Sequence, residues 1–282
     1  MNPADYAFLS EFLLESSGLS LGHNKEYLLE GRLIPLAQSW GLAGIEELVQ
    51  ILKRGQDQRL SSAVTEAMTT NETSFFRDKS PFDDLKNHIL PNLIEARKNI
   101  KTLRFWCAAA SSGQESYSTI MLLQESFPDI LQNWRLEFLA TDISNTMLTR
   151  AEAGVYTQFE VQRGLPIQYL IKYFAQCPAG WQIHDSVRKR VTFRNQNLLE
   201  NFHSLGKFDL IFCRNVLIYF ENSVKQQILE RMHTLMKPDS YLMMGAAETV
   251  LGITDKFSRY KKCASAVYTS AASPLGMKSL TG

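Results

Sequence analysis

Residues 103–123 read LRFWCAAASSGQESYSTIMLL, and this stretch decides the fold. Leu103, Phe105, Trp106 and Cys107 make an apolar, β-favouring run, and small residues follow from Ala108 to Gly113. From Gln114 the apolar positions Tyr117, Ile120, Met121 and Leu122 return at helical spacing. The pattern predicts strand, tight turn, helix. In an open α/β sheet, ligands bind in the crevice beyond the strands' carboxyl ends. Small side chains there let a ligand approach the backbone closely. The turn is not a dinucleotide fingerprint: it has one glycine, Gly113, where G-x-G-x-x-G has three, and it lacks the Lys-Ser/Thr pair of a triphosphate loop. Glu115 stands near the helix start, where a pyrophosphate needs bare N–H groups. A carboxylate there suits a ligand with positive charge, an ammonium or a sulfonium. An ordinary βα corner with a capping acid has the same pattern.

Downstream, strand and helix patterns alternate. Strands are expected at 103–108, 136–141, 191–195, 208–213 and 241–245, with helices near 114–127, 145–152 and 223–236. Pro238-Asp239-Ser240 reads as a turn, 266–270 as a late edge strand, and 270–282 as a frayed tail. The expected fold class is α/β, with a mostly parallel, doubly wound sheet over 101–282. Residues 154 to about 195 break the alternation. A helix at 167–174, a turn at 177–180 and short strand runs at 181–184 and 188–193 predict an inserted antiparallel subdomain. Residues 1–70 carry only helical spacing in four runs, punctuated by Gly18, Gly22, Gly41 and Gly55, and predict a small helical domain. Leu9, Phe12 and Leu13, then Tyr27, Leu28, Leu33 and Leu36, are its expected apolar faces. Residues 71–100 form a linker and the first helix of the sheet domain.

Bulk properties exclude several classes. The net charge of +1 gives no strong field for nucleic acid or a membrane surface. No apolar run approaches the ~20 residues of a membrane span, and MNPADYAF has no signal-peptide character. Cys107, Cys177, Cys213 and Cys263 lack C-x-x-C spacing and read as reduced thiols in a cytoplasmic protein, with no metal site. Lys25, Arg32, Lys53 and Arg54 make either a basic face for an acidic partner or ordinary solvated charges.

Four further features carry candidate chemistry. TTNETSFFRDKSPFDDL at 69–85 sets Asn71, Thr73 and Arg77 beside Phe75 and Phe76. It is either a cover for the cofactor crevice or a connector whose aromatics plug the domain interface. Asp142 ends the second strand, where an acid accepts ribose hydroxyls; Asp142 or Ser144 equally suits an N-cap. Asn195-Gln196-Asn197-Leu198 follows the 191–193 strand run, where an amide side chain suits an adenine edge. Arg214 and Asn215 follow the apolar run LIFC directly, and Tyr219 lies a further turn on. A charged Arg at a strand's buried end needs a partner.

Four segments in fixed order, TTNETSFFRD (69–78), FWCAAASSGQESYS (105–118), ATDIS (140–144) and FCRNVLIYF (212–220), resemble the chemotaxis receptor methyltransferases of the CheR type. The resemblance runs from about residue 5 to 270. It implies a Rossmann-like S-adenosylmethionine methyltransferase that esterifies glutamate side chains on chemoreceptor cytoplasmic domains, here expected as a cytoplasmic monomer. It implies a cofactor site lined by Asn71, Thr73, Arg77, Glu115, Asp142, Asn197, Leu198, Arg214 and Asn215. Arg77 and Tyr219 are the expected catalytic residues. As a cation, Arg77 suits a carboxylate, either the cofactor's or the acceptor's, and Tyr219 suits the nucleophile or the methyl group. Two departures stand out. SSGQE replaces the family's frequent STGEE, and the 177–180 turn is short with one glycine. Members that dock a receptor's C-terminal pentapeptide tend to have a longer, glycine-richer turn, so tight pentapeptide binding is not expected. A nucleotide-dependent oxidoreductase on the same sheet is disfavoured by the missing fingerprint. A non-catalytic receptor-binding module is disfavoured by the retained Arg77, Glu115, Asp142 and Arg214.

Overall fold

A computed structural model describes residues 1–22, 25–55 and 57–273. The chain forms two compact units, Met1–Thr70 with Tyr219–Val224, and Asn71–Ile218 with Lys225–Gly282. Ten strands are described, all in the second unit: β1 Thr102–Ala108, β2 Arg135–Asp142, β3 Val155–Tyr156, β4 Phe174–Cys177, β5 Gly180–Ile183, β6 Thr192–Asn195, β7 Phe208–Cys213, β8 Met236–Met244, β9 Phe257–Arg259 and β10 Val267–Ser270. Seven of them form one sheet in the order β6-β2-β1-β7-β8-β10-β9. The pairs β6–β2, β2–β1, β1–β7 and β7–β8 are parallel, and β10 runs antiparallel to β8 and β9.

Composition explains the centre. All six residues of β7, FDLIFC, are buried, as a strand covered on both faces requires. From β1 the chain winds outward to β2 on one side and later to β7 and β8 on the other, so the strand order reverses between β1 and β7. That reversal opens a crevice above the carboxyl ends of those two strands. The helix Gln114–Ser126 packs Tyr117, Ile120, Met121 and Leu123 into the core with no exposure.

Several details of the second unit differ from expectation: the expected edge strand at 266–270 is β10, which lies between β8 and β9 and leaves β9 at the edge. Pro238-Asp239-Ser240 lies inside β8. The register jumps from Phe208–Met236 to Leu210–Tyr241, so the turn-like residues bulge out of the ladder, where proline's missing N–H costs nothing. The 188–193 run is not part of the insert: Asp185–Arg188 is a short helix, and β6 joins the main sheet beside β2. The insert's third strand is instead β3, giving an antiparallel sheet β3-β5-β4. The expected frayed tail begins within β10 at Ser270, and from residue 274 it lies outside the described residues.

Phe75 ties the insert to the main core. It has no exposure and meets Tyr156 of β3 and Phe174 of β4 edge-on, with ring centroids at 4.9 and 5.6 Å. A Cβ at Gly164 (φ +85°) would stand 2.0 Å from the Phe75 carbonyl oxygen, so only glycine fits that approach. The Phe75 ring thus plugs a joint inside the second unit, between the insert and the sheet core, and not the domain interface expected of a connector.

The first unit contains the helices Pro3–Ser17, Glu26–Ser39, Ile45–Arg54 and Gln58–Met68. Leu9, Leu13, Leu29, Leu33, Leu48, Val49 and Val64 fill its core with no exposure. Tyr27 is 66% exposed, so the second helix is rotated from the expected face and buries Leu29. Arg32 donates to the carbonyls of Met68 and Thr69 at 2.7 and 2.8 Å, capping the last helix. Lys53 pairs with Asp5 at 3.3 Å. Half of the expected basic face is therefore structural. No helix among the described residues is long and apolar enough to cross a membrane.

Candidate functional site

The β1 turn and the β7 turn converge at the switch point, and both are conformationally unusual. Ala109 (φ 59°), Ser111 (φ 50°) and Gly113 (φ 91°) follow β1, and Asn215 (φ 59°) follows β7. Phe76, Asp78 and Lys79 in the preceding segment are also left-handed. Six of the seven non-glycine left-handed residues among those described thus fall in three segments joined by the bonds below. Such strain persists only where the surroundings over-determine it, and it clusters at functional sites. At Gly113 an added Cβ would lie 3.1 Å from both Ala151 and Tyr117, so the φ of 91° favours glycine and the space beside it is tight.

Arg214 and Glu115 join the two strand ends. Their side chains are 2% and 12% exposed and form an ion pair between Nη1 and Oε1. Arg214 Nη2 donates to Asp78 Oδ2 at 2.8 Å and to the Arg77 carbonyl at 3.0 Å. Burial alone would lower the Arg214 pKa, but Glu115, with Asp78 behind it, holds it above its ordinary value. Arg214 Nε is buried and has no acceptor among the described residues. The Cys107 thiol lies 3.4 Å from Glu115 Oε2, and burial, reinforced by that carboxylate, pushes its pKa well up. Cys107 is therefore an inert core thiol.

Asp142 locks the neighbouring strand end. Its Oδ2 accepts the Ser111 N–H at 2.8 Å and its Oδ1 the Ser144 N–H at 2.9 Å. Ser144, not Asp142, is the N-cap of the helix Asn145–Ala153. Ser111 Oγ in turn donates to the Asn71 carbonyl at 2.8 Å. Tyr156 donates to the Ser112 carbonyl at 2.7 Å, so the insert braces the same turn. Arg77 is half-buried and donates to the Glu72 carbonyl at 2.9 Å. Thr73 is half-buried. Asn197 and buried Leu198 follow β6, with the Gln196 N–H on the Asp142 carbonyl at 3.0 Å. The expected residues Asn71, Arg77, Glu115, Asp142 and Arg214 are thus linked through Ser111 and Arg214. Tyr219 lies in the 3-10 turn Leu217–Tyr219 and belongs to the 219–224 segment of the first unit. It is not part of this network.

Two family models cover most of the chain: "CheR methyltransferase, all-alpha domain" over residues 4–69 and "CheR methyltransferase, SAM binding domain" over residues 71–265. The chain belongs to the CheR methyltransferase family. Its sheet unit is the family's S-adenosylmethionine-binding domain. It is 45% identical over 259 residues to chemotaxis protein methyltransferase 1 of Pseudomonas aeruginosa, spanning 90% of this chain and 93% of the relative. It is 42% identical over 256 residues to a chemotaxis protein methyltransferase of Pseudomonas putida, with 90% and 93% covered. Identity to the Escherichia coli chemotaxis protein methyltransferase is 30% over 263 residues, with 92% and 88% covered.

Three residues in this CheR domain's network were not picked out in the sequence. Asp78 ends the TTNETSFFRD segment, and its sign, opposite to Arg214, was the available signal. Ser111 acts through its backbone N–H as well as its hydroxyl, which a sequence does not display. Glu248 accepts four backbone N–H groups where the β7 and β8 ends meet. An acid four residues beyond the end of β8, after Gly245-Ala246-Ala247, was the signal there.

Proposed function

We propose that this chain transfers the methyl group of S-adenosylmethionine to glutamate side-chain carboxylates on the cytoplasmic domains of chemoreceptors, acting as a cytoplasmic monomer. The observation that carries this is the Arg214–Glu115 pair across the β1–β7 switch point, in a chain of this family. The donor brings a methyl group on a positively charged sulfur, and its amino-acid end carries an ammonium and a carboxylate. The residues fit those charges. Glu115 takes the ammonium, while Arg77 and the orphaned Arg214 Nε suit a carboxylate. Asp142 takes the ribose hydroxyls, and the small residues from Ala108 to Gly113 give close access to the backbone. Asn71, Thr73, Asn197, Leu198 and Asn215 complete the lining.

The acceptor needs little activation. A free Glu has a pKa of about 4.3 and is ~99% ionised near pH 7, so no general base is required. Rate enhancement comes from aligning the carboxylate in line with the methyl and excluding water. Arg77 and Tyr219 are the residues proposed to orient it, and the helical unit to face the receptor. Incubation with radiolabelled S-adenosylmethionine and a panel of receptor cytoplasmic domains tests this directly. Base-labile label on a receptor supports the proposal; a panel that stays unlabelled while the donor binds overturns the acceptor assignment.

Methylation is proposed to be independent of a receptor C-terminal pentapeptide. In support, β4 and β5 are joined by Pro178-Ala179 alone, and a Cβ at Gly180 would stand 2.3 Å from the Tyr156 carbonyl oxygen. The hairpin end is therefore tight against β3. Micromolar binding of such a peptide by calorimetry would refute this.

A further inference from the structure

Glu248 is 7% exposed, and its carboxylate is fully engaged by backbone. Oε2 accepts the N–H of Asn215 at 2.8 Å and of Gly245 at 2.7 Å. Oε1 accepts the N–H of Val216 at 3.0 Å and of Leu217 at 2.7 Å. Three of these donors belong to the turn that follows β7, and the fourth lies at the end of β8. One side chain therefore fastens two neighbouring strand ends at the level of the crevice.

The turn it fills needs fastening. Asn215 is left-handed at φ 59°, a conformation that residues with a Cβ adopt only where their surroundings hold it. Successive N–H groups around such a residue form a concavity that favours an anion. Here the anion is the chain's own carboxylate. The fit is close from the other side too: a Cβ at Gly245 would lie 2.7 Å from Glu248 Oε2, 2.8 Å from Asn215 Nδ2 and 2.9 Å from Asn215 N. Arg214, whose guanidinium pairs with Glu115, is the residue just before the turn.

We propose that Glu248 is a positioning residue for the methyl-transfer reaction. Its carboxylate holds the Arg214–Asn215 turn in the conformation that binds S-adenosylmethionine, without touching the cofactor itself. This role rests on the cofactor site proposed for Glu115, Arg214 and Asn215. The chemistry is specific to a carboxylate. Two anionic oxygens accept four N–H groups, whereas Gln offers one oxygen and turns an NH2 donor towards two of the same donors.

The test is calorimetric titration of S-adenosylhomocysteine into the full chain, for the wild type, Glu248→Gln and Gly245→Ala, with a thermal melt of each. Glu248→Gln is expected to weaken binding by about tenfold or more, the loss of one charge-assisted bond or its equivalent. Gly245→Ala, which changes no charge but presses on the same joint, is expected to weaken it in the same direction. With a receptor domain as acceptor, the KM for S-adenosylmethionine should rise while the receptor KM stays within about twofold, since the turn serves the donor side. Unchanged affinity in both variants, with only a lowered Tm, would make Glu248 a purely structural staple and overturn the proposal. If Glu248→Gln does not fold, Gly245→Ala alone decides it. A wild type that does not bind S-adenosylhomocysteine is a different result, since it removes the cofactor site itself.

Discussion

Arg214, at the carboxyl end of β7, and Glu115, in the first turn of the helix after β1, form an ion pair across the one place where the sheet's winding reverses. The topology alone makes that place a crevice, and the pair gives it charge. The two residues lie 99 positions apart, and neither strand end would hold a buried charge without the other. Asp78 adds a second carboxylate, which links the 76–79 turn to the same guanidinium.

Glu115→Gln keeps the shape of the side chain and removes its charge. Arg214 would then rely on Asp78, whose side chain is 39% exposed. The expected outcome is S-adenosylhomocysteine binding weakened by about tenfold to a hundredfold, the range of a lost charge-assisted bond. Calorimetry measures it, and an affinity within about twofold of wild type would take Glu115 out of the cofactor site.

Arg77→Ala should separate catalysis from stability. The half-buried guanidinium makes one described bond, to the Glu72 carbonyl at 2.9 Å. Losing it costs about 0.5–1.5 kcal/mol of stability. If Arg77 grips a carboxylate in the reaction, methyl transfer should fall by about a hundredfold or more, well beyond that loss. Parallel melts and turnover measurements check this; near-normal turnover would remove Arg77 from the reaction.

Phe75→Ala tests whether the insert depends on the segment before it. Phe75 is fully buried against Tyr156 and Phe174 in the insert's own sheet. Truncation should cost about 3–5 kcal/mol, and limited proteolysis should open residues 154–183 first. Gly164→Ala should act on the same contact, because its Cβ would collide with the Phe75 carbonyl oxygen at 2.0 Å. Denaturant melts measure both; a loss under about 1 kcal/mol for Phe75→Ala would show that the insert is anchored elsewhere.

What the sequence disclosed and what it hid follow one physical division. The β1–turn–helix stretch and β7 were legible because each is a local pattern: an apolar run, small residues, then helical spacing. Arg214 was legible as a charge that needed a partner, but its partners, 99 and 136 positions away, were not. The two-residue strand β3 has too short a pattern to stand out, and it exists because β5 pairs with it. Pro238 signalled a turn because propensity is local, whereas the bulge that accommodates it depends on the register with β7. Glu248 carried only one local signal, its place just past the end of β8. Its role comes from four backbone N–H groups, which no side-chain pattern reveals.

His233 gives the fold a measurable response to mild acid. It lies on the helix Asn222–Thr234 with Nε2 2.9 Å from Ser270 Oγ, and its ring meets Phe257 edge-on at 5.4 Å. Burial first, then Lys256 and Lys207, hold its pKa below the ordinary histidine value. In the unfolded chain it takes up a proton near pH 6.5. Between that value and the lower one in the fold, the unfolded state binds more protons, so stability falls as the pH drops. Above about pH 7 both states are neutral and the contribution is flat. Denaturant melts from about pH 7.5 to pH 5.5 should therefore show wild-type stability declining more steeply than that of His233→Gln, which cannot take up the proton. Parallel slopes for the two proteins would mean that this imidazole titrates alike in the folded and unfolded chain.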